Sequence, residues 1–218
     1  CKFESMKDLV YGNIPHDSVR FLEMKNVFTE CFDEFSNLSY PDYLDTTEEI
    51  EGIIKTMSKA QKSDKWDKIK KFMFECDGDL ENTLKNQLGD VGIPITDEYI
   101  KYLVEVNEEL GGLIMQLKTH YQRPRPFQVA WYSKQPLHPF ETLSGQTPSF
   151  PSGHACQGKF LTMLVAQHYP EKSIELRKLS EKISQSRIIL GVHYPSDNKA
   201  GERIAKQLFA RKEIQNYL

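Results

Sequence analysis

Apolar side chains recur at spacings of three and four residues along most of this chain, and this pattern constrains the fold more than any other feature. Ile50, Ile53 and Met57 form one such stripe, and Leu110 and Ile114 belong to another. These spacings place side chains on one face of an α-helix, and no stretch shows the apolar–polar alternation of a convincing strand. The sequence therefore predicts an all-α fold.

A single domain over residues 1–218 is the organisation we predict. A chain of 218 residues buries enough surface to hold a core without disulfides. Neither an internal repeat nor a change in composition marks a boundary. Within this domain we separate a helical part at 1–95, whose role the sequence does not assign, from a core at 96–210 that carries the candidate chemistry.

Capping residues and prolines set the expected helix limits. Asp17 is a candidate N-cap for a helix that continues to Phe35, and Thr46 with Glu49 has the spacing of a capping box. Thr96 can cap a long helix. It ends at Arg123-Pro124-Arg125-Pro126, because the residue before a proline avoids the α region. A loop is expected at 127–151, followed by helices at 152–168, 171–190 and from 197 to the carboxyl end.

Composition excludes several classes of partner and site. Lys plus Arg number 28 against 31 for Asp plus Glu, a net charge of −3, so no basic excess draws the chain to a nucleic-acid polymer. The densest apolar stretch, 160–166, is far shorter than the roughly 18 residues of a membrane span. The four cysteines form no CxxC pair, and the sequence predicts no metal site.

Two features of the core do not suit a plain helical bundle. Arg187 lies on the apolar face of its helix, between Ile183 and Leu190, where a guanidinium is costly unless an anion meets it. Ser152-Gly153-His154 precedes a buried helix, and a helix that starts there directs free N–H groups at one point, as anion sites do. Each has an ordinary structural alternative: an ion pair for the arginine, and a capped helix start for the other.

Two further pairs extend the pattern. Lys118 stands at the end of the long helix, and Arg125 lies seven residues later on a proline-flanked segment. His193 is followed four residues later by Asp197, across Pro195. A carboxylate at that distance can hold one imidazole nitrogen and leave the other free to attack. The alternative is a surface histidine and an aspartate that caps the last helix.

Taken in order, the segments resemble a known three-part signature. They read Lys118-x6-Arg125-Pro126, then Pro151-Ser152-Gly153-His154, then Ser186-Arg187-x5-His193-x3-Asp197. This is similar to the signature of the type 2 phosphatidic acid phosphatase superfamily, and most similar to its bacterial class A non-specific acid phosphatases. The residues after the second segment, Ala155-Cys156-Gln157-Gly158, depart from the usual class A form.

The resemblance implies a helical bundle of the acid phosphatase and vanadium haloperoxidase type and a phosphomonoesterase that uses neither metal nor cofactor. Its substrate would be a small-molecule phosphate monoester, and vanadate or phosphate would fit the same site. Side chains that correspond to phosphate-binding positions are Lys118, Arg125, Ser152, Gly153 and Arg187.

The resemblance also implies the catalytic roles. His193 would attack phosphorus and become a phosphohistidine, and Asp197 would orient it. His154 would protonate the leaving group and then activate water. With His193 neutral and His154 protonated at the start, we expect a bell-shaped rate profile with an optimum on the acid side of neutrality.

Two other functions remain as alternatives. A vanadium-dependent haloperoxidase would use the same pocket, with His193 as the vanadate ligand; peroxide-driven bromide oxidation that requires added vanadate would identify it. A non-catalytic interaction protein could keep a vestigial phosphate pocket, although every chemical position of the signature is filled. The signature recognises the phosphoryl group alone, so the leaving group, a homo-oligomeric state, and a periplasmic or cytoplasmic location are left open.

Overall fold

The computed structural model describes residues 10–12, 14–78 and 80–218. Eleven α-helices occur in these ranges, and no strand does, so the all-α prediction is confirmed. They are α1 (Val19–Leu22), α2 (Phe32–Phe35), α3 (Tyr43–Gln61), α4 (Trp66–Gly78), α5 (Leu80–Asp90), α6 (Asp97–Tyr121), α7 (Pro126–Ser133), α8 (Gly153–His168), α9 (Ser173–Ile189), α10 (Pro195–Phe209) and α11 (Lys212–Tyr217).

The predicted start of the long helix α6 is confirmed. The Thr96 side chain accepts a hydrogen bond from the Tyr99 N–H at 3.1 Å, and Asp97 and Glu98 in the first turn offset the positive end of the helix. At the other end Gln122 takes the left-handed conformation, with φ at 52°, and the helix stops before Pro124. Lys118 is thereby carried to the last turn of α6.

Two expectations for the first part are wrong. Asp17 lies inside a short 3-10 turn, His16–Ser18, and the segment to Phe35 is broken into short helices rather than one long one. The helix expected to begin at Thr46 begins at Tyr43, where the Asp42 side chain accepts from the Asp45 N–H. Thr46 is instead a buried residue whose hydroxyl donates to the Pro41 carbonyl.

The expectation of a loop over 127–151 is wrong at its start, where α7 occupies Pro126–Ser133. Proline is well suited to the first position of a helix, where its missing N–H costs nothing. The Gln128 side chain accepts from the Arg125 N–H at 2.7 Å and stabilises this start. Arg125 therefore sits at the N-cap of a helix, a more rigid place than a loop.

The carboxyl-terminal helices pack closely and carry most of the predicted site. Helix α8 packs against α9 and α10. A Cβ on Gly201 of α10 would lie 2.5 Å from the Ser152 carbonyl oxygen, so only glycine allows α10 to approach the start of α8 so closely. Between α9 and α10, Gly191 has a φ of +78° and makes the turn that brings His193 back to α8.

The amino-terminal helices also contact this core. Helices α3 and α4 pack against α9, and α3 also touches α7. None of the helices in the three described ranges has both the length and the apolar character that a membrane crossing requires.

Candidate active site

His193 is buried, and both of its ring nitrogens have a partner. Nδ1 lies 3.1 Å from Oδ2 of Asp197, and Nε2 lies 2.8 Å from Nη1 of Arg125. A guanidinium can only donate, so Nε2 accepts and Nδ1 carries the proton. In this tautomer the Nε2 lone pair is directed towards the basic side of the site, where it accepts from Arg125.

Asp197 is held by several donors in addition to His193. Its Oδ2 accepts from the Ser149 hydroxyl at 2.5 Å and from the Tyr194 N–H at 3.0 Å. Its Oδ1 accepts from Arg123 at 2.7 Å. The carboxylate is therefore fixed, and it fixes the imidazole in turn.

Arg125 is anchored by backbone carbonyls. Nε donates to Thr147 O at 2.6 Å, and Nη1 donates to Val192 O at 2.9 Å. Burial, with the neighbouring charge of Arg187, lowers the pKa of Arg125 to about 10. The guanidinium remains charged at neutral pH, and its position is set before any ligand arrives.

Lys118 completes one side of the site. It is 4% exposed, and its Nζ donates to Pro148 O at 2.6 Å. Burial and the charges of Arg125 and Arg187 lower its pKa well below the usual value, against the opposing effect of Asp197. So many basic groups brought together form a region that an anion would stabilise.

Arg187 is fully buried and only partly paired. Its Nη2 donates to Asp77 Oδ1 at 3.0 Å and to the Ser144 hydroxyl at 2.6 Å. Its Nε and Nη1 have no hydrogen-bond partner within the described part of the chain. A buried guanidinium with two unpartnered nitrogens is costly, and a phosphate oxygen would satisfy them.

The start of α8 supplies the remaining predicted residues. The Ser152 hydroxyl accepts from the Ala155 N–H at 3.4 Å, and the Ser152 N–H donates to Asp197 O at 3.1 Å. His154 Nε2 donates to the Cys76 carbonyl at 3.1 Å, so Nδ1 is the nitrogen that can exchange a proton with a ligand. Burial and the charge of Arg187 lower the pKa of His154 to about 3.

The charge states of the two histidines bear on the expected mechanism. His154 is expected to start catalysis protonated, whereas in the site without an anion burial and the charge of Arg187 favour its neutral form. The pKa of His193 is also lowered well below its ordinary value, first by burial and then by Arg125, Lys118 and Arg187. The expected neutral state of His193 agrees with that direction.

A cavity of about 380 Å³ connects these groups. Lys118, Arg125, Gly153, His154 and His193 line it, together with Ser144 and Thr147. The rest of the lining combines the apolar side chains of Phe21, Ile114 and Met115 with Gly111 and the polar Asn107, Glu108 and Gln157. Ser152, Arg187 and Asp197 are fully buried and are not among the lining residues described; Arg187 reaches the lining through Ser144.

Sequence reasoning missed several residues that hold the site. Asp77, to which the sequence assigned no role, pairs with Arg187. Burial alone would raise the pKa of Asp77, but hydrogen bonding from Ser144 and the charge of Arg187 outweigh it and lower the pKa. Arg123 was interpreted only as part of a helix stop. In the sequence, each of these two residues is a charged residue next to an apolar stripe, and this pattern does not show which residue it pairs with.

In the described residues, no group of three His, Cys, Asp or Glu side chains is arranged to hold a metal ion.

Comparison with known proteins agrees with the motifs. Residues 106–205 match the model of the PAP2 superfamily. A non-specific acid phosphatase of Salmonella typhimurium is 35% identical over 94 residues, which are 43% of this chain and 37% of the relative. One of Providencia stuartii is 31% identical over 136 residues, which are 58% of this chain and 54% of the relative. The chain thus spans between about a third and a half of the relatives it matches.

Proposed function

Because residues 106–205 match the model of the PAP2 superfamily, we propose that this chain is a phosphatase that hydrolyses phosphate monoesters through a phosphohistidine on His193. The observation that carries the proposal is the convergence of Lys118 and Arg125 on the cavity that holds His193, with Arg187 linked to the lining through Ser144. The relatives named as non-specific acid phosphatases support the same reaction class.

Phosphate binding follows from the charges. Phosphoryl transfer is mostly positioning and stabilisation of charge on the equatorial oxygens, and three basic side chains can do this where other enzymes use magnesium. The two arginines supply forked donors, and Lys118 supplies a point charge. Ser152 and the Gly153 N–H at the start of α8 add neutral donors. We therefore propose that neither metal nor cofactor is needed, and that vanadate competes with phosphate for the site.

The first step forms one bond and breaks another. The Nε2 lone pair of His193 bonds to phosphorus as the ester P–O bond breaks, after a phosphate oxygen has taken over the N–H of Arg125. The leaving oxygen takes the electron pair and a proton from Nδ1 of His154. Asp197 accepts a hydrogen bond from the Nδ1–H of His193 and stabilises the positive charge that the ring gains.

The second step reverses these roles. His154 Nδ1 removes a proton from water, the water oxygen bonds to phosphorus, and the P–N bond returns its electron pair to His193 Nε2. Inorganic phosphate leaves, and His154 is protonated again for the next substrate.

Binding of the substrate explains how His154, whose pKa is low in the free site, can act as an acid. A phosphate monoester has a second pKa of about 6, so it brings either a proton or two negative charges into the cavity. Two negative charges beside the ring favour its protonated form. His154 can therefore be neutral in the free site and protonated in the complex.

Phosphate release in the presence of EDTA tests the proposal. The panel includes aryl, nucleoside and sugar phosphates, since the cavity lining combines basic, polar and apolar side chains. His193→Ala should lose about 1,000-fold or more on every substrate. His154→Ala should lose as much on poor leaving groups and recover on an activated aryl phosphate, which needs no acid.

His168→Ala is the matched control, since that histidine is exposed and its Nδ1 forms a hydrogen bond with the Tyr99 hydroxyl. It should keep full activity. Activity that EDTA abolishes, or that survives in His193→Ala, would contradict the proposal.

A further inference from the structure

Arg123 is a buried cation for which the proposed reaction has no direct use. It precedes Arg125 by two residues, but the two side chains have different partners. It is 1% exposed, and its guanidinium lies close to two aromatic rings, 3.9 Å from the ring centre of Tyr194 and 4.8 Å from that of Tyr40. It is not among the residues that line the described cavity.

Arg123 donates hydrogen bonds to two carboxylates and two hydroxyl groups. Nη1 donates to Asp197 Oδ1 at 2.7 Å and to the Ser196 hydroxyl at 2.8 Å. Nη2 donates to Glu49 Oε2 at 3.3 Å and to the Thr46 hydroxyl at 3.4 Å. The guanidinium therefore bridges Asp197, which orients His193, and Glu49 on α3.

Glu49 secures the same end of α10 independently. Its Oε1 accepts from the Ser196 N–H, and its Oε2 from the Ser196 hydroxyl, both at 2.7 Å. The start of α10, which carries Asp197, is thus bound to α3 both directly and through Arg123. This gives a role to the amino-terminal part that the sequence left unassigned.

The geometry of Asp197 explains why such a bridge is needed. Oδ2 accepts from His193 Nδ1, while Oδ1 faces Arg123. Without a donor on Oδ1, only the Ser149 hydroxyl and the Tyr194 N–H, both on Oδ2, would oppose rotation of the carboxylate about its terminal torsion, which is broad for aspartate. In the free site the Arg125 N–H also specifies this tautomer. Once a phosphate oxygen has taken over that N–H, the Asp197 carboxylate is the group that keeps the proton on Nδ1, and a rotated carboxylate would no longer do so.

We propose that Arg123, with Glu49 behind it, is a positioning residue that acts through Asp197 to keep His193 in the tautomer that attacks phosphorus. The inference rests on the proposed function for its kinetic consequences. Its structural content, the control of one histidine tautomer by a buried arginine that does not line the cavity, stands apart from it.

The kinetic test is a double-variant cycle with Arg123→Lys and Asp197→Asn. Arg123→Lys keeps the charge but loses the planar fork, so kcat should fall by about 10- to 100-fold, as when a partner that orients a functional histidine is altered. KM should stay within about twofold, because Arg123 does not line the cavity. If Arg123 acts through Asp197, the double variant should be no slower than Asp197→Asn alone.

Glu49→Gln should reproduce part of the loss, and Arg177→Lys is the matched control. Arg177 pairs with Glu181 at 3.9 Å on the exposed face of α9, so its change should leave kcat unaltered. Losses that add in the double variant, or a rise in KM without a fall in kcat, would overturn the inference.

A second measurement separates this inference from the proposed function. The ¹⁵N chemical shifts of the His193 ring report which nitrogen is protonated, whether or not the protein is active. In the presence of inorganic phosphate, which competes for the Arg125 N–H, wild type should show the Nδ1–H tautomer, and Arg123→Lys a mixture. If wild type releases no phosphate, the proposed function fails while the shifts still decide the inference. If the protein is active and the shifts are identical in both forms, only the inference fails.

Discussion

Lowering the pH should destabilise the free protein through its two buried active-site histidines. Both have folded-state pKa values well below the unfolded value of about 6.5. Below that pH the unfolded chain binds protons that the folded chain does not, so the free energy of unfolding falls as the pH falls. For each histidine the loss at pH 5.5 is about 1.4 kcal/mol, and for His154 it keeps growing until the pH approaches about 3.

Urea unfolding at pH 7.5 and pH 5.5 measures this loss. Other titrating groups contribute to both wild type and variants, so the comparison isolates the histidines. His154→Gln and His193→Gln should each remove about 1.4 kcal/mol of the pH-dependent change, and the double variant about twice that. His168→Gln, on the exposed carboxyl-terminal end of α8, should behave as wild type.

Equal pH dependence in wild type and the double variant would refute the reasoning. It would mean that the two rings are not held neutral by their burial and by the basic groups around them. The electrostatic argument for an anion site would then lose its basis.

Three other predictions concern the basic groups of the candidate active site and the contacts that hold them in place. Asp77→Asn removes the charge opposite Arg187. On the purified variant we expect the free energy of unfolding to fall by about 3 kcal/mol and KM to rise. An unchanged KM would show that this pair does not hold the phosphate site. Gly201→Ala places a Cβ 2.5 Å from Ser152 O, so thermal unfolding should show a loss of about 1–3 kcal/mol, whereas Gly52→Ala, with nothing within 4 Å, should not be destabilised. The rate of phosphate release should be highest on the acid side of neutrality and fall as the pH rises through about 6, the second pKa of the substrate; a rate still rising above pH 8 would contradict the assigned roles.

The all-α architecture could be predicted from the sequence because it depends on local patterns. Apolar spacing specifies helices, and Thr96 and Ser152 hydrogen-bond N–H groups only three residues away. The same locality explains the errors. Asp17, Thr46 and the loop after Arg125 were assigned from motifs that several local structures satisfy, and packing selected among them.

The spacing of the signature identified candidate phosphate-binding residues but could not show their supports. Asp77 meets Arg187 across 110 residues of sequence, and Glu49 meets Arg123 across 74. A buried charge requires a partner, but any carboxylate that the fold brings near can serve.

What the sequence determined by itself is therefore the helical class and the chemistry-bearing residues that lie within one helix or turn of each other, such as His193 and Asp197. Only the tertiary structure decided which tautomer His193 adopts, which charges are neutralised and which are left facing the cavity. Those properties arise from contacts between distant segments in a medium of low dielectric constant, where a few ångströms determine whether a charge is stabilised or costly.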